Sequence, residues 1–302
     1  MEAATRRCNN CGAAHSEDAP LKRCARCSDT PALYCGRSCQ LEHWAILHRE
    51  ECTKVYEVCR TEEKGVGLRA ARPFRAGDVL FAESPVLRAP VRISADEQED
   101  AWASVNRSFL SLSVGRQRAV MDLYCTPARL DAGGDKPLSG ICRSNAVEMG
   151  ETGESGLFLK FSRLNHCCRS NVRHTWREDR QRELVIATRD INAGDELLTC
   201  YLDTDTGFSD TETRRAWLQE RFGFLCNCEM CSRDGEGDTP GNRRMRELSA
   251  LHASIPEVAQ TSPESALEMV DRCLRLLREQ QLDMVRERPR LSPPPRAQLP
   301  ML

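Results

Sequence analysis

Eight potential metal ligands crowd residues 8–52: Cys8 and Cys11, Cys24 and Cys27, Cys35 and Cys39, His48 and Cys52. Two residues separate the members of the first two pairs, the spacing of a zinc knuckle. The other two pairs stand at i and i+4, which puts both members on one face of a helical turn. The segment is too short to bury a core, so metal binding, about 10–16 kcal/mol per structural zinc site, must supply its folding energy. Eight ligands make two closed sites, and a closed site leaves no position for water or substrate, so this module binds or braces rather than catalyses. Spacing leaves both sequential and interleaved pairing open. His43 beside Trp44 reads as packed rather than ligating, and His15 as solvated.

A second cysteine cluster lies far downstream. Cys226, Cys228 and Cys231 offer three thiols, and a tetrahedral site needs a fourth from elsewhere in the fold; Cys168 is the candidate. The chain holds 17 cysteines, but its N-terminus lacks the apolar stretch of a secretory signal, which favours metal over disulfides. Cys59, Cys125, Cys142, Cys167, Cys200 and Cys273 read as plain thiols packed as small apolar groups. With 43 Lys and Arg against 45 Asp and Glu in 302 residues, no basic excess points to direct nucleic-acid binding. No apolar run is long enough for a membrane span, so a soluble nuclear or cytoplasmic chain is expected.

The remaining pattern predicts an α+β fold. Residues 64–71 and 78–83 read as strands. Gly65-x-Gly67 would let backbone approach a ligand closely, although a tight turn is the ordinary meaning of such a pair. Trp102, Val105, Phe109, Leu112, Val120 and Leu123 predict a helical insert over about 97–124. Residues 148–156, rich in Glu and Gly, read as an exposed loop. Val172–Trp176 and Leu184–Thr188 predict a hairpin, Glu196–Tyr201 a strand, and 210–223 a helix capped by Asp210 or Thr211. Two further helical patterns occupy 243–285. A tail from Pro289, with five prolines in its 14 residues, is expected to be disordered.

Three fragments in order carry a resemblance: Asn165-His166-x-Cys168-x-x-Asn171, Gly194-Asp195-Glu196-Leu197-x-x-x-Tyr201, and Phe224-x-Cys226-x-Cys228-x-x-Cys231. Together they resemble a SET domain with its post-SET zinc site, and residues 8–52 resemble a MYND finger. The chain is therefore similar to the SET-and-MYND protein-lysine methyltransferases over about three quarters of its length. That resemblance implies a SET domain over 64–203 and a post-SET segment over 222–232. It implies interleaved zinc pairing, with Cys8, Cys11, Cys35 and Cys39 on one ion and Cys24, Cys27, His48 and Cys52 on another. A third ion would fall to Cys168, Cys226, Cys228 and Cys231. S-adenosylmethionine would be held by Gly65, Gly67, Leu68, Asn145, Asn165, His166 and Phe224, with Tyr201 also lining that pocket and orienting the attacking amine. The partners implied are a protein substrate, histone or otherwise, and proline-rich peptides on the finger. The competing reading is a non-catalytic adaptor in transcriptional regulation, with the SET fold as scaffold. Three departures stand out: Cys167 where serine is usual, Ser170 where proline is usual, and a finger that precedes the glycine motif instead of following it.

Overall fold

The computed structural model describes residues 7–16, 18–25, 32–53, 55–61, 64–90, 98–150 and 153–282. Cys27, residue 97, residues 283–285 and the proline-rich tail lie outside the described residues. In the finger, Lys22–Arg23 pairs antiparallel with Leu33–Tyr34, and the chain then runs through Arg37–His43, a π-helical turn Trp44–His48 and Arg49–Cys52. Its buried interior is Cys8, Cys24, Ala32 and Tyr34, too little apolar surface to fold alone. The Tyr34 hydroxyl lies 3.0 Å from His43 Nδ1, so His43 is packed, as its place beside Trp44 predicted.

The middle of the chain builds small sheets around one apolar core. Tyr56–Thr61 pairs with Gly65–Ala70, while Arg182–Ala187 lies between Val172–Arg177 and Val79–Glu83. Being the middle strand, Arg182–Ala187 is buried along nearly its whole length. Tyr56, Leu68, Phe74, Phe81, Phe158, Phe161, Val185 and Leu197 interlock beneath these sheets.

Glu83 fastens this core to the segment leading into Asn165. Its buried carboxylate accepts backbone N–H bonds from Leu159, Lys160 and Phe161 at 2.9–3.1 Å. Glu83→Gln turns an acceptor oxygen into an NH2 facing those donors. We expect a loss of about 1–3 kcal/mol, the cost of an unmet buried polar group. Urea unfolding measures it, and an unchanged midpoint would contradict the role.

The helical insert forms as two helices, Gln98–Leu110 and Val114–Met121, the second capped by Ser113. Trp102, Val105, Phe109, Leu112, Val120 and Leu123 all enter one cluster with Leu87, Ile141 and Leu157. The finger docks on the second helix: Asn10 packs so closely on Gly115 that a Cβ there would overlap its carboxamide. The expected loop over 148–156 is only partly a loop. Glu154–Leu157 is the central strand of a three-stranded sheet, between Leu87–Pro90 and Val147–Glu148. Gly156 fits there because Phe158 and Met149 fill the space a side chain would occupy, which composition could not reveal.

The strand expected over Glu196–Tyr201 shrinks to Leu198–Thr199, parallel to Asn165–His166. The flanking residues bond elsewhere: Leu197 N–H donates to the Leu68 carbonyl at 2.7 Å, and the Asn171 amide donates to the Glu196 carbonyl at 2.8 Å. Beyond it, Thr211–Phe222 is capped by Asp210, and Pro240–Thr261 and Pro263–Glu279 form an antiparallel helix pair. Met245, Leu248, Cys273 and Leu276 of that pair pack beside Leu218 and the downstream cysteines.

Candidate active site and its metal centres

Three donor clusters converge, with ligand atoms in each within 4.8 Å of one another: Cys8, Cys11, Cys35 and Cys39; Cys24, His48 and Cys52; Cys168, Cys226, Cys228 and Cys231. A tetrahedron of Zn–S bonds of about 2.3 Å has S···S edges of about 3.8 Å. The observed separations match that geometry: 3.6 Å for Cys11–Cys35, 3.9 Å for Cys24–Cys52, and 3.9 and 3.5 Å from Cys168 to Cys226 and Cys231. The finger's donors are thus interleaved, the alternative that spacing left open. Cys168 meets a run 58 residues downstream, from a segment whose Asn165–His166 strand is paired with Leu198–Thr199.

Against this last cluster lies Arg214, fully buried on Thr211–Phe222. Its guanidinium donates to the Ser209 carbonyl and to Thr211 Oγ1, and sits 3.5 Å from Cys231 Sγ. No carboxylate pairs with it among the described residues. A metal bound by four thiolates carries net negative charge, which a buried cation compensates. Arg214→Met should weaken metal retention here by about 10–100-fold, the range for residues that support metal ligands. Competition with a chromophoric chelator measures this, and unchanged retention would leave Arg214 as packing alone.

One element in from the metal cluster, His166 uses both ring nitrogens within the protein. Nδ1 accepts the Tyr201 backbone N–H at 3.0 Å, which places the proton on Nε2, 3.4 Å from Cys168 Sγ. Burial pushes the imidazole down to about 4, so it is neutral at physiological pH. His166 therefore links the cysteine cluster to Tyr201. Tyr201 packs against the His166, Phe222 and Phe224 rings, with centroids 5.3, 4.8 and 6.5 Å away, and its hydroxyl donates to the Leu164 carbonyl at 2.6 Å. Burial, then the nearby Glu196 carboxylate, raises its phenol well above the ordinary value, so it stays protonated.

A second group forms around Asn165, whose amide donates to Glu196 Oε1 at 2.8 Å while Lys64 Nζ holds Glu196 Oε2 at 2.8 Å. Gly67 lies against this pair: a Cβ there would stand 2.7 Å from Asn165 Nδ2 and 3.0 Å from Glu196 Oε1. Gly65, at φ +71°, has open space where its side chain would point. Leu68 is core, its carbonyl taken by Leu197. Motif reasoning missed Glu196, whose partners Lys64 and Asn165 come from distant segments, and Arg214, which reaches Cys231 from a helix of its own.

Neither Gly67 nor Asn165 lines the cleft to which Asn145 belongs. Asn145 shares with Tyr201 and Phe222 this cleft of about 410 Å³, also lined by Phe161, Leu164, His174 and Trp217. Its amide is fixed to the Tyr124 and Ile141 carbonyls at 2.7 Å each. Tyr201 therefore faces this cleft while its ring touches His166 and Phe224, which do not line it.

Residues 65–202 match the SET domain and residues 8–52 the MYND finger. The chain is 32% identical over 231 residues to histone-lysine N-methyltransferase set5 of Schizosaccharomyces pombe, covering 76% of this chain and 67% of that protein. It is 29% identical over 227 residues to histone-lysine N-methyltransferase SMYD3 of Homo sapiens, covering 72% and 50%. With N-lysine methyltransferase SMYD2-A of Xenopus laevis it shares 24% identity over 263 residues, covering 81% and 55%. The fold and these matches define a SET-domain methyltransferase with a zinc finger. The chain belongs to the SET-and-MYND protein-lysine methyltransferases. It spans about half the length of the two vertebrate relatives.

Proposed function

We propose that the chain transfers a methyl group from S-adenosylmethionine to the side-chain nitrogen of a lysine on a histone or another protein, in the nucleus or cytoplasm. Carrying this reading is Tyr201, a neutral, oriented phenol with its ring against His166 and Phe224 and its edge on the cleft. The cofactor supplies an electrophilic methyl on a sulfonium. Gly65, Gly67 and Leu68 would offer it backbone, Asn165 and His166 would hold it chiefly through their main chain, and Phe224 would cover its adenine. Open space at Gly65 and the close approach at Gly67 fit such a cradle. Asn145 is proposed as a wall of the lysine cleft, since it shares that cleft with Tyr201.

A lysine amine with a reference pKa near 10.4 costs about 4.6 kcal/mol to deprotonate at pH 7, so presenting it neutral and aligned is most of the catalysis. Tyr201 stays protonated, so no phenolate is available to serve as the base. Its hydroxyl, anchored on Leu164, leaves lone pairs to orient the amine. The lysine ammonium would first give its proton to water; the neutral nitrogen would then take the methyl as the C–S bond breaks, leaving a methylammonium and S-adenosylhomocysteine.

We assign zinc to all three clusters, with Cys27 completing the second. The finger is proposed to dock proline-rich peptides, giving the chain a route to chromatin regulators. No helix among the described residues is long and apolar enough to cross a membrane. Incubation of the zinc-loaded protein with labelled S-adenosylmethionine, histones and a cell lysate, with product lysines mapped by mass spectrometry, tests the activity. Absence of label from a preparation that binds the cofactor would favour the adaptor reading.

A further inference from the structure

Three arginines line the cleft that Tyr201 faces: Arg129, Arg143 and Arg221. They come from separate elements: the turn Pro127–Arg129, the last turn of Leu138–Asn145 and the last turn of Thr211–Phe222. Specific contacts gather them. Thr126 Oγ1 donates to the Arg221 carbonyl at 3.3 Å, Tyr124 Oη donates to the Phe222 carbonyl at 3.1 Å, and the Arg129 guanidinium donates to the Arg143 carbonyl. Two of the three are oriented by aromatic faces, Arg143 lying 5.6 Å from the Trp102 ring and Arg221 5.0 Å from Trp217.

Among the described residues none of the three has a carboxylate partner. Of the cleft's two carboxylates, Asp203 caps the turn Thr204–Gly207 by accepting the Thr206 N–H at 2.7 Å, and Glu148 makes no ion pair among the described residues. The cleft's histidine, His174, is already paired with Glu183 at 2.7 Å. Burial, then the neighbouring Arg221 and Arg143, lowers the Arg129 guanidinium from its ordinary value. Three like charges held together with no carboxylate in contact repel one another, and an arriving anion relieves that repulsion.

We infer that the substrate segment entering this cleft carries an anionic side chain close to its target lysine, received by Arg129, Arg143 and Arg221. This rests on the methyltransferase reading of the same cleft. A guanidinium fork suits both carboxylate and phosphate, so Asp, Glu and a phosphorylated serine share the required chemistry. A wholly basic stretch around the lysine is disfavoured.

The test uses the zinc-loaded full chain with S-adenosylhomocysteine. Fluorescein-labelled alanine-based peptides carry one central lysine, and each flanking position in turn is Ala, Glu, phosphoserine or Lys. Anisotropy gives Kd, and labelled S-adenosylmethionine gives kcat/KM on the same peptides. The better Glu or phosphoserine arm is expected to bind about five- to tenfold more tightly than the Ala arm, with the Lys arm weakest. The stronger of the two anionic arms identifies the carboxylate or the phosphate as the recognised group. The preference should shrink as salt rises from about 50 to about 500 mM. Arg221→Glu should invert it, and Arg143→Gln, at an exposed position, should bring the Glu-to-Ala ratio of kcat/KM toward one. Equal affinity for the Ala, Glu, phosphoserine and Lys arms overturns the inference. Methyl transfer without charge preference rejects it and leaves the activity standing; charge-dependent binding without methyl transfer does the reverse.

Discussion

Cys231→Ser is expected to remove one of three zinc ions and to weaken cofactor binding by about a hundredfold or more, about 2.7 kcal/mol. Cys231 is fully buried, 3.5 Å from Cys168 and 3.5 Å from the Arg214 guanidinium. A serine there is a poor zinc ligand and leaves a buried arginine facing an uncharged hydroxyl. Chain connectivity carries the damage onward. Cys168 stands two residues after His166, whose ring holds the Tyr201 backbone, and Cys226 stands two residues after Phe224. Releasing the metal therefore frees both walls of the proposed cofactor pocket, coupling metal occupancy to pocket shape. Native mass spectrometry should count two ions in the variant against three in the parent, and calorimetry with S-adenosylhomocysteine should show the lost affinity. Full affinity in a two-ion protein would break the link between them.

The finger and the active-site motifs were legible in the sequence for different reasons. Metal ligands obey short-range geometry, so pairs at two- and four-residue offsets announce themselves. Their assortment into clusters depends on tertiary contact, and only the family resemblance suggested that Cys8 and Cys11 meet Cys35 and Cys39. Asn165, His166 and Tyr201 were legible as linear motifs, and the structure gathers His166 and Tyr201 through a backbone bond. Glu196 lay inside a recognised motif without a role. Its meaning comes from Lys64 and Asn165, 132 and 31 residues distant, and from a glycine strand that no local window includes. Arg214 belongs to no motif and lies inside the expected helix over 210–223; its burial against a thiol cluster is a property of packing. Whether Asn145 faces cofactor or cleft depends on the helix Leu138–Asn145, whose orientation is fixed by hydrogen bonds to Tyr124 and Thr126.

Tyr201→Phe should lower kcat for methyl transfer at least tenfold, about 1.4 kcal/mol, while leaving cofactor affinity within about twofold of the parent. Phenylalanine keeps the ring contacts with His166, Phe222 and Phe224, and the backbone N–H of residue 201 still reaches His166 Nδ1. Only the hydroxyl is lost, and with it the 2.6 Å bond to the Leu164 carbonyl. That unmet carbonyl should reduce stability by about 1–3 kcal/mol, which thermal unfolding will register separately from rate. Because burial raises the phenol above its ordinary value, Tyr201 does not ionise across the working range. The titrating group is then the substrate lysine, whose neutral fraction grows with pH, so parent and variant should show the same rise of rate with pH, offset by a constant factor. A variant as fast as the parent would reduce Tyr201 to a structural hydrogen bond. A variant whose pH profile changes shape would make the phenol a proton carrier, contrary to its half-buried, protonated state.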